Sequence, residues 1–332
     1  MTLRDHLAEP LVVGEPDVVG PLAVYPVFGP ACEQGFVALS QANGDVVIGE
    51  LESSSVRDLV VTNRGKMPVL LYEGEEVLGG QQNRSLDASV LVGNDAKVTL
   101  PVSCVEAGRW DHASHRARFH SSPHYPSPEL RRAKAKSSRE RATAGAEARP
   151  DQAETWRLVD SISARVGSSS PTRAFSDAYD ERRRDLRKIE REVKLRDGQL
   201  GTLVTLGQEF CVLDVVGRPD VFAALHEPLV RGYALEVLAA AGTGEAVPST
   251  ATAREVVAAV LGAAGDRHPS VGLGADVRFG RRGVAGSALV HQCELVALTA
   301  FPDRGDGSGT GRSRRESGRI VRPSARGRHP AP

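Results

Sequence analysis

The sequence predicts an α+β fold: a β-rich N-terminal lobe, antiparallel and sandwich or barrel-like, then helices, then a second mixed α+β lobe. Three observations predict it. Up to Trp110 the apolar runs are short and rich in β-branched residues, and Gly, Pro and Asn cut them apart. Between 111 and 198 apolar residues recur at helical spacing. From 199 to 302 hairpin signals alternate with helix signals.

In the first part, 22–25, 36–39, 46–48 and 59–61 read as strands. Asn63-Arg64-Gly65-Lys66 reads as a turn, and 67–72 as a buried strand whose early Pro68 a strand start tolerates. Stretches 86–92 and 96–102 flank Gly93-Asn94-Asp95, a hairpin signal because Gly and Asn accept positive φ. In the middle part, Ser127-Pro128-Glu129 starts a helix with a cap residue, a first-turn proline and an acid. The run 130–141 that follows is basic with almost no core face, which predicts a solvated helix or crossing segment. Trp156, Val159 and Val166 share one helical face. Phe175, Tyr179, Leu186, Ile189 and Val193 share another, after Pro171-Thr172 and opposite a wet face of mixed charge.

In the third part, 202–206 and 210–216 form a hairpin around Gly207-Gln208-Glu209. Helices are expected at 219–227, 228–240 and 251–263, with Pro219 and Pro228 in first turns, and strands at 275–279, 284–291 and 294–301. The reading is one domain over 10–302, divided into a β-rich lobe (10–110), a helical crossing region (111–198) and an α+β lobe (199–302). Residues 303–332 carry eight arginines against three acids and little apolar area, so a disordered Gly/Arg/Ser/Pro tail is expected.

Lys+Arg and Asp+Glu balance at 42 each, which gives no expectation of a nucleic-acid or membrane partner. Nothing approaches the roughly 18 apolar residues of a membrane span, and Met1–His6 lacks a signal-peptide core. Cys32, Cys104, Cys211 and Cys293 form no CxxC pair and lie among apolar residues, so they read as small hydrophobes in a reduced, cytoplasmic protein. Gly242-Thr243-Gly244 and Gly272-Leu273-Gly274 begin GxGxxG, but Val247 and Val277 replace the last glycine. GxxxxGK[ST], HExxH and GxSxG do not occur.

Chemistry concentrates in two stretches. The first, Tyr72 to Arg84, packs Glu73, Glu75, Glu76, Gln81, Gln82, Asn83 and Arg84 around Gly74, Gly79 and Gly80. Amides and a guanidinium make a directional hydrogen-bonding surface, and glycines admit a ligand close to the backbone. The second, Pro101 to Trp110, carries Cys104, Glu106, Arg109 and Trp110. If the expected hairpin pairs, both stretches end at one sheet edge. Arg84 and Arg109 then suit phosphates, Glu73 and Glu106 suit ribose hydroxyls or acid/base work, Gln82 and Asn83 orient the ligand, and Trp110 stacks on a ring. The bland alternative is a structural network with Trp110 as core. His112, His115, His120 and His124 match no metal-site spacing, so no metal ligand is assigned. His291 reads as a core or edge residue, and Cys104 as an inert thiol.

These residues also carry a resemblance. Tyr72-Glu73-Gly74-Glu75, Gly79-Gly80, Gln82-Asn83-Arg84 and Pro101 to Trp110 resemble the ARG and Rhodanese-Phosphatase-superfamily-associated Protein domain, ARG being ADP-ribosyl glycohydrolase. Gln152 to Trp156, Ser170-Pro171-Thr172, Gly217 to Tyr233 and Gly286 to His291 extend it over roughly 11–301. Ala153 stands where the pattern has a glycine nearby. The resemblance implies a ligand of ADP-ribose or NAD type and an association with ADP-ribosyl glycohydrolase-type proteins. It names no cofactor and no settled activity. The leading expectation is therefore binding, with hydrolytic processing, of an ADP-ribose-like nucleotide. Its rivals are a non-catalytic scaffold protein and a metal-dependent enzyme using Glu73, Glu106 and one of His112, His115 or His291.

Overall fold

The computed structural model describes residues 2–42, 44–51, 57–109, 118–240, 244, 246–281 and 283–303. The first half of the chain forms β1 (Val12–Val13), β2 (Asp17–Val19), β3 (Leu22–Phe28), β4 (Val37–Ala38), β5 (Val46–Glu50), β6 (Asp58–Asn63), β7 (Val69–Leu71), β8 (Glu76–Leu78), β9 (Arg84–Leu86), β10 (Val90–Val92), β11 (Ala96–Cys104) and β12 (His120–Ser121). Helices α1 (Pro128–Thr143), α2 (Gln152–Val166), α3 (Phe175–Glu181) and α4 (Arg183–Glu190) follow. The chain ends in β13 (Gly201–Leu206), β14 (Glu209–Val216), α5 (Pro219–Ala239), α6 (Thr250–Leu261), β15 (Asp266–Pro269), β16 (Ala275–Arg281), β17 (Val284–His291) and β18 (Glu294–Pro302). The α+β class stands.

The largest sheet has the order β1-β3-β13-β14-β18-β17-β16-β15, with β2 also on β3. Both faces are covered at its central strands β3, β13, β14 and β18, which is why these read as continuous apolar runs. Period-two alternation sends Val24, Val204 and Val212 to the helix-covered side and Tyr25, Leu203 and Leu213 to the side capped by α6. Because β3 pairs with β13, residues 12–28 join this sheet. The smaller sheets, β10-β7-β4 and β12-β8-β9-β11-β6-β5, enclose a third core around Val61, Leu71, Val77, Val92 and Leu100.

Three expectations need correction. The 86–92/96–102 hairpin does not form. Val90–Val92 pairs with Val69–Leu71, while β11 pairs with β6 and, at its end, with β9. The buried Asn63 amide fixes this crossing by donating to Val92 O, Gly93 O and Met67 O at 3.2, 3.0 and 2.8 Å. The helices expected at 219–227 and 228–240 are one helix, α5, with Pro228 inside it and Phe222, Leu225, Leu229 and Tyr233 on its buried face. Its length is set by burial, which outweighs the one backbone bond that proline removes.

The third correction is the largest. Helix α1 is not solvated: Leu130, Arg131, Lys134 and Ser137 are buried. Arg131 donates to Asp214 of β14 at 2.9 and 2.6 Å, with the pair 1% and 0% exposed. Tyr72 and Tyr233 donate to the same carboxylate at 2.7 and 2.6 Å. The guanidinium also lies over the rings of Tyr72, Tyr125 and Phe301 at 5.7 to 5.9 Å. One turn on, Lys134 Nζ reaches Asp87 at 2.9 Å and donates to Ser85 Oγ at 2.9 Å. Two long cations thus occupy core positions of the helix, each supplied with acceptors. The tail expected at 303–332 lies, from 304 on, outside the described residues. Among the described residues, no helix is long and apolar enough to cross a membrane.

Removing one partner of the central pair strands a charge in the core. Arg131→Met or Asp214→Leu is expected to lower the unfolding free energy by about 3–5 kcal/mol. The double variant should lose less than the sum of the two. Urea denaturation of the four proteins measures this.

Candidate functional site

The two polar stretches converge, by a route other than the expected hairpin. Cys104 pairs with Arg84 across β11 and β9, and the Val105 N–H donates to Asn83 O at 3.2 Å. Gln152 of α2 holds both backbone groups of Cys104, at 2.9 and 2.8 Å. The chain after Cys104 therefore runs against the 79–83 loop. There Glu106 accepts from the Asn83 N–H at 3.1 Å and from Arg109 at 2.9 and 2.7 Å. Arg109 also donates to Gly80 O at 2.8 Å and Asn83 Oδ1 at 3.1 Å, and Gln82 donates to Glu106 O at 2.9 Å. Gly79 (φ +129°) is required here: a Cβ would lie 2.6 Å from Arg118 O. Burial acts to raise the Glu106 carboxyl, but the hydrogen bonds from Arg109 and Asn83 outweigh it and hold it below its ordinary value.

Arg84 differs from its neighbours. It is 1% exposed and forms no ion pair among the described residues. Its contacts are Gln82 Oε1 at 3.3 Å and Asn83 O at 3.5 Å, and Nε has no partner among the described residues. Burial pulls the guanidinium below its ordinary value. Beside it, burial pushes the Cys104 thiol up to about 11, which makes it a poor nucleophile at neutral pH. Cys293 departs from the expected apolar setting and is exposed in the β17–β18 turn, at φ +68°.

Glu73 does not join this cluster. The turn after β7 is held by Gly74 N–H to Leu86 O at 3.1 Å and Glu75 N–H to Tyr72 O at 2.9 Å. It aims Glu73 the other way, toward β17, where its carboxylate accepts from Ser287 Oγ at 2.6 Å. Gly74 (φ +86°) lies against Arg131, so that a Cβ there would stand 2.6 Å from Nε. Burial raises the Glu73 carboxyl above its ordinary value, and the Ser287 bond opposes this.

Glu73 and Ser287 lie on the wall of a cavity of about 250 Å³ between α1 and strands β16 to β18. Phe279, Ala285, Gly286, Phe301 and Pro302 supply apolar surface, while Arg132, Lys136, Arg139 and Arg278 bring positive charge. Arg278 is matched by Asp276 at 2.7 Å, and Arg139 Nη2 by Asp303 at 2.6 Å. Arg139 Nη1 is buried against Gly280 and has no hydrogen-bond partner among the described residues. Ribose hydroxyls suit the carboxylate and serine, a phosphate suits the positive charge of Arg132, Lys136 and Arg139, and a planar ring suits the phenyl surface.

The metal arrangement needs Glu73 and Glu106 together, and they serve separate places. His291, at the end of β17, is not among the residues lining the Glu73 cavity. Trp110, His112 and His115 lie outside the described residues. Among the described residues no group of three or more His, Cys, Asp and Glu is placed to hold a metal ion. The sequence reading missed Ser287 and Arg139. A helical spacing of Leu130, Arg131, Lys134 and Ser137 was present, but basic residues at such positions read as solvent-facing.

Next to Glu73, Glu75 is 2% exposed and accepts from Ser121 Oγ at 2.7 Å. Burial raises its carboxyl to about 7. The folded state thus holds this proton more tightly than the unfolded chain, so stability is lost as pH rises from about 4.5 to about 7. Wild type is expected to lose about 2–3 kcal/mol more than Glu75→Gln between pH 5 and 8, measured by denaturation at each pH.

Neither a curated protein nor a solved structure matches the chain. The family model of the ARG and Rhodanese-Phosphatase-superfamily-associated Protein domain matches residues 10–301, across the convergent loops and the Glu73 cavity alike, and the chain belongs to that family.

Proposed function

We propose that the protein binds, and processes by hydrolysis, an ADP-ribose- or NAD-derived nucleotide, with a ribose-phosphate portion seated in the Glu73 cavity. The observation that carries this reading is the buried Glu73 carboxyl, bonded to Ser287 at 2.6 Å on the wall of a cavity that Arg132, Lys136 and Arg139 also line. A volume of about 250 Å³ suits part of a dinucleotide, with the remainder over the open side. Glu73 accepts from ribose hydroxyls, Arg139 binds phosphate, and Phe279 and Phe301 offer ring surface. A carboxyl raised above its ordinary value is also suited to proton transfer near neutral pH. The family's association with ADP-ribosyl glycohydrolases supports the nucleotide class.

A second reading places the nucleotide's phosphates at the 79–84 and 106–109 loops. Arg84 favours it, as a buried guanidinium with no ion pair among the described residues. Arg109 does not add to it, because Glu106 already engages Arg109 through both carboxylate oxygens. The same internal bonding favours a structural role for Gln82, Asn83, Glu106 and Arg109.

Calorimetric titration with ADP-ribose separates the readings, with NAD and AMP as comparisons. Saturable binding is expected, weakened at least tenfold in Glu73→Gln and in Arg139→Ala. Binding that both variants leave intact, or no heat from folded protein, overturns the assignment.

A further inference from the structure

A second cavity, of about 210 Å³, shares no lining residue with the Glu73 cavity. It opens between residues 123–124, the helix pair α3–α4 and α5. His124 lines it, 4% exposed, with Nε2 3.0 Å from Glu76 Oε2 and its ring stacked 3.8 Å from Tyr179. Glu76 is fully buried, and its Oε1 has no partner among the described residues. A carboxylate behind an imidazole fixes the ring and leaves the other nitrogen for a ligand. Here that nitrogen is Nδ1, which has no hydrogen-bond partner among the described residues.

Three arginines reach this cavity, and two are matched. Arg183 pairs with Asp180, and Arg231 with Glu190 and Glu227. Arg187 is exposed and has no ion pair among the described residues. An unmatched guanidinium and an uncommitted imidazole nitrogen therefore border one small polar space. A guanidinium offers donors only, in a fork that matches a tetrahedral oxyanion.

We propose that this cavity binds phosphate, free or as the end of a phosphate monoester, with Arg187 supplying the charge and His124 Nδ1 a hydrogen bond. In the tautomer that donates Nε2–H to Glu76, Nδ1 accepts a hydrogen bond from a protonated phosphate oxygen, which orthophosphate and a monoester monoanion both carry. This site stands independently of the nucleotide reading of the Glu73 cavity.

The test titrates the full chain with orthophosphate and, separately, with glycerol 3-phosphate, following heat and the His124 ring resonances. Saturable binding is expected to shift those resonances, to weaken at least tenfold in Arg187→Ala, and to be unchanged in Glu73→Gln. Because Arg187 is exposed, its truncation leaves the core intact. A stronger response to the ester than to orthophosphate identifies a monoester as the ligand, and an equal response the free anion. No saturable binding, or binding that persists in Arg187→Ala, overturns the proposal. Loss in Glu73→Gln instead also overturns it, by moving the phosphate to the other cavity.

Discussion

The fold turns on one buried ion pair. Arg131 and Asp214 are both essentially inaccessible, and the carboxylate gathers bonds from Arg131, Tyr72 and Tyr233. These groups come from α1, β14, the end of β7 and α5, so a single carboxylate ties two sheets and two helices together. Thr299, register partner of Asp214 on β18, adds its hydroxyl to Tyr72 at 2.8 Å. Such a pair costs several kcal/mol of desolvation per ion, and only complete hydrogen bonding and close geometry offset it. What it supplies is placement: with Arg131 fixed, α1 lies across the β16–β18 face, and the Glu73 cavity is the space between them.

Much of this architecture was legible in the sequence. The hairpin signal between 202–206 and 210–216, the proline and acid after Ser127 and the runs at 284–291 and 294–301 each specify local structure, and local chemistry suffices for them. Pairing between distant strands was not legible. Nothing in Leu22 to Phe28 announces β13 as its partner, since both are continuous apolar runs that fit either face of any sheet. The role of α1 was hidden for another reason. A buried Arg or Lys is recognisable only when its acceptors are known, and Asp214 is 83 residues away.

The candidate site divides along the same line. Convergence of 79–84 with 106–109 was expected from a hairpin that does not form, and the strand pairing behind it is β9 with β11. The separation of Glu73 was not readable, because it depends on a turn that sends adjacent carboxylates to different surroundings. Glu73 meets Ser287, Glu75 meets Ser121, and Glu76 meets His124. Three acids within four residues thus serve three environments, and the short β7–β8 connection is what distributes them. That distribution gives the small β-structure a part in both cavities.

The most direct measurement is a crystal structure of the chain with ADP-ribose bound. The account predicts ligand density between α1 and β17, with a ribose hydroxyl in hydrogen-bonding reach of Glu73 and a phosphate oxygen near Arg139. Density at Arg84 and the 106–109 loop, with the Glu73 cavity unchanged, would contradict it.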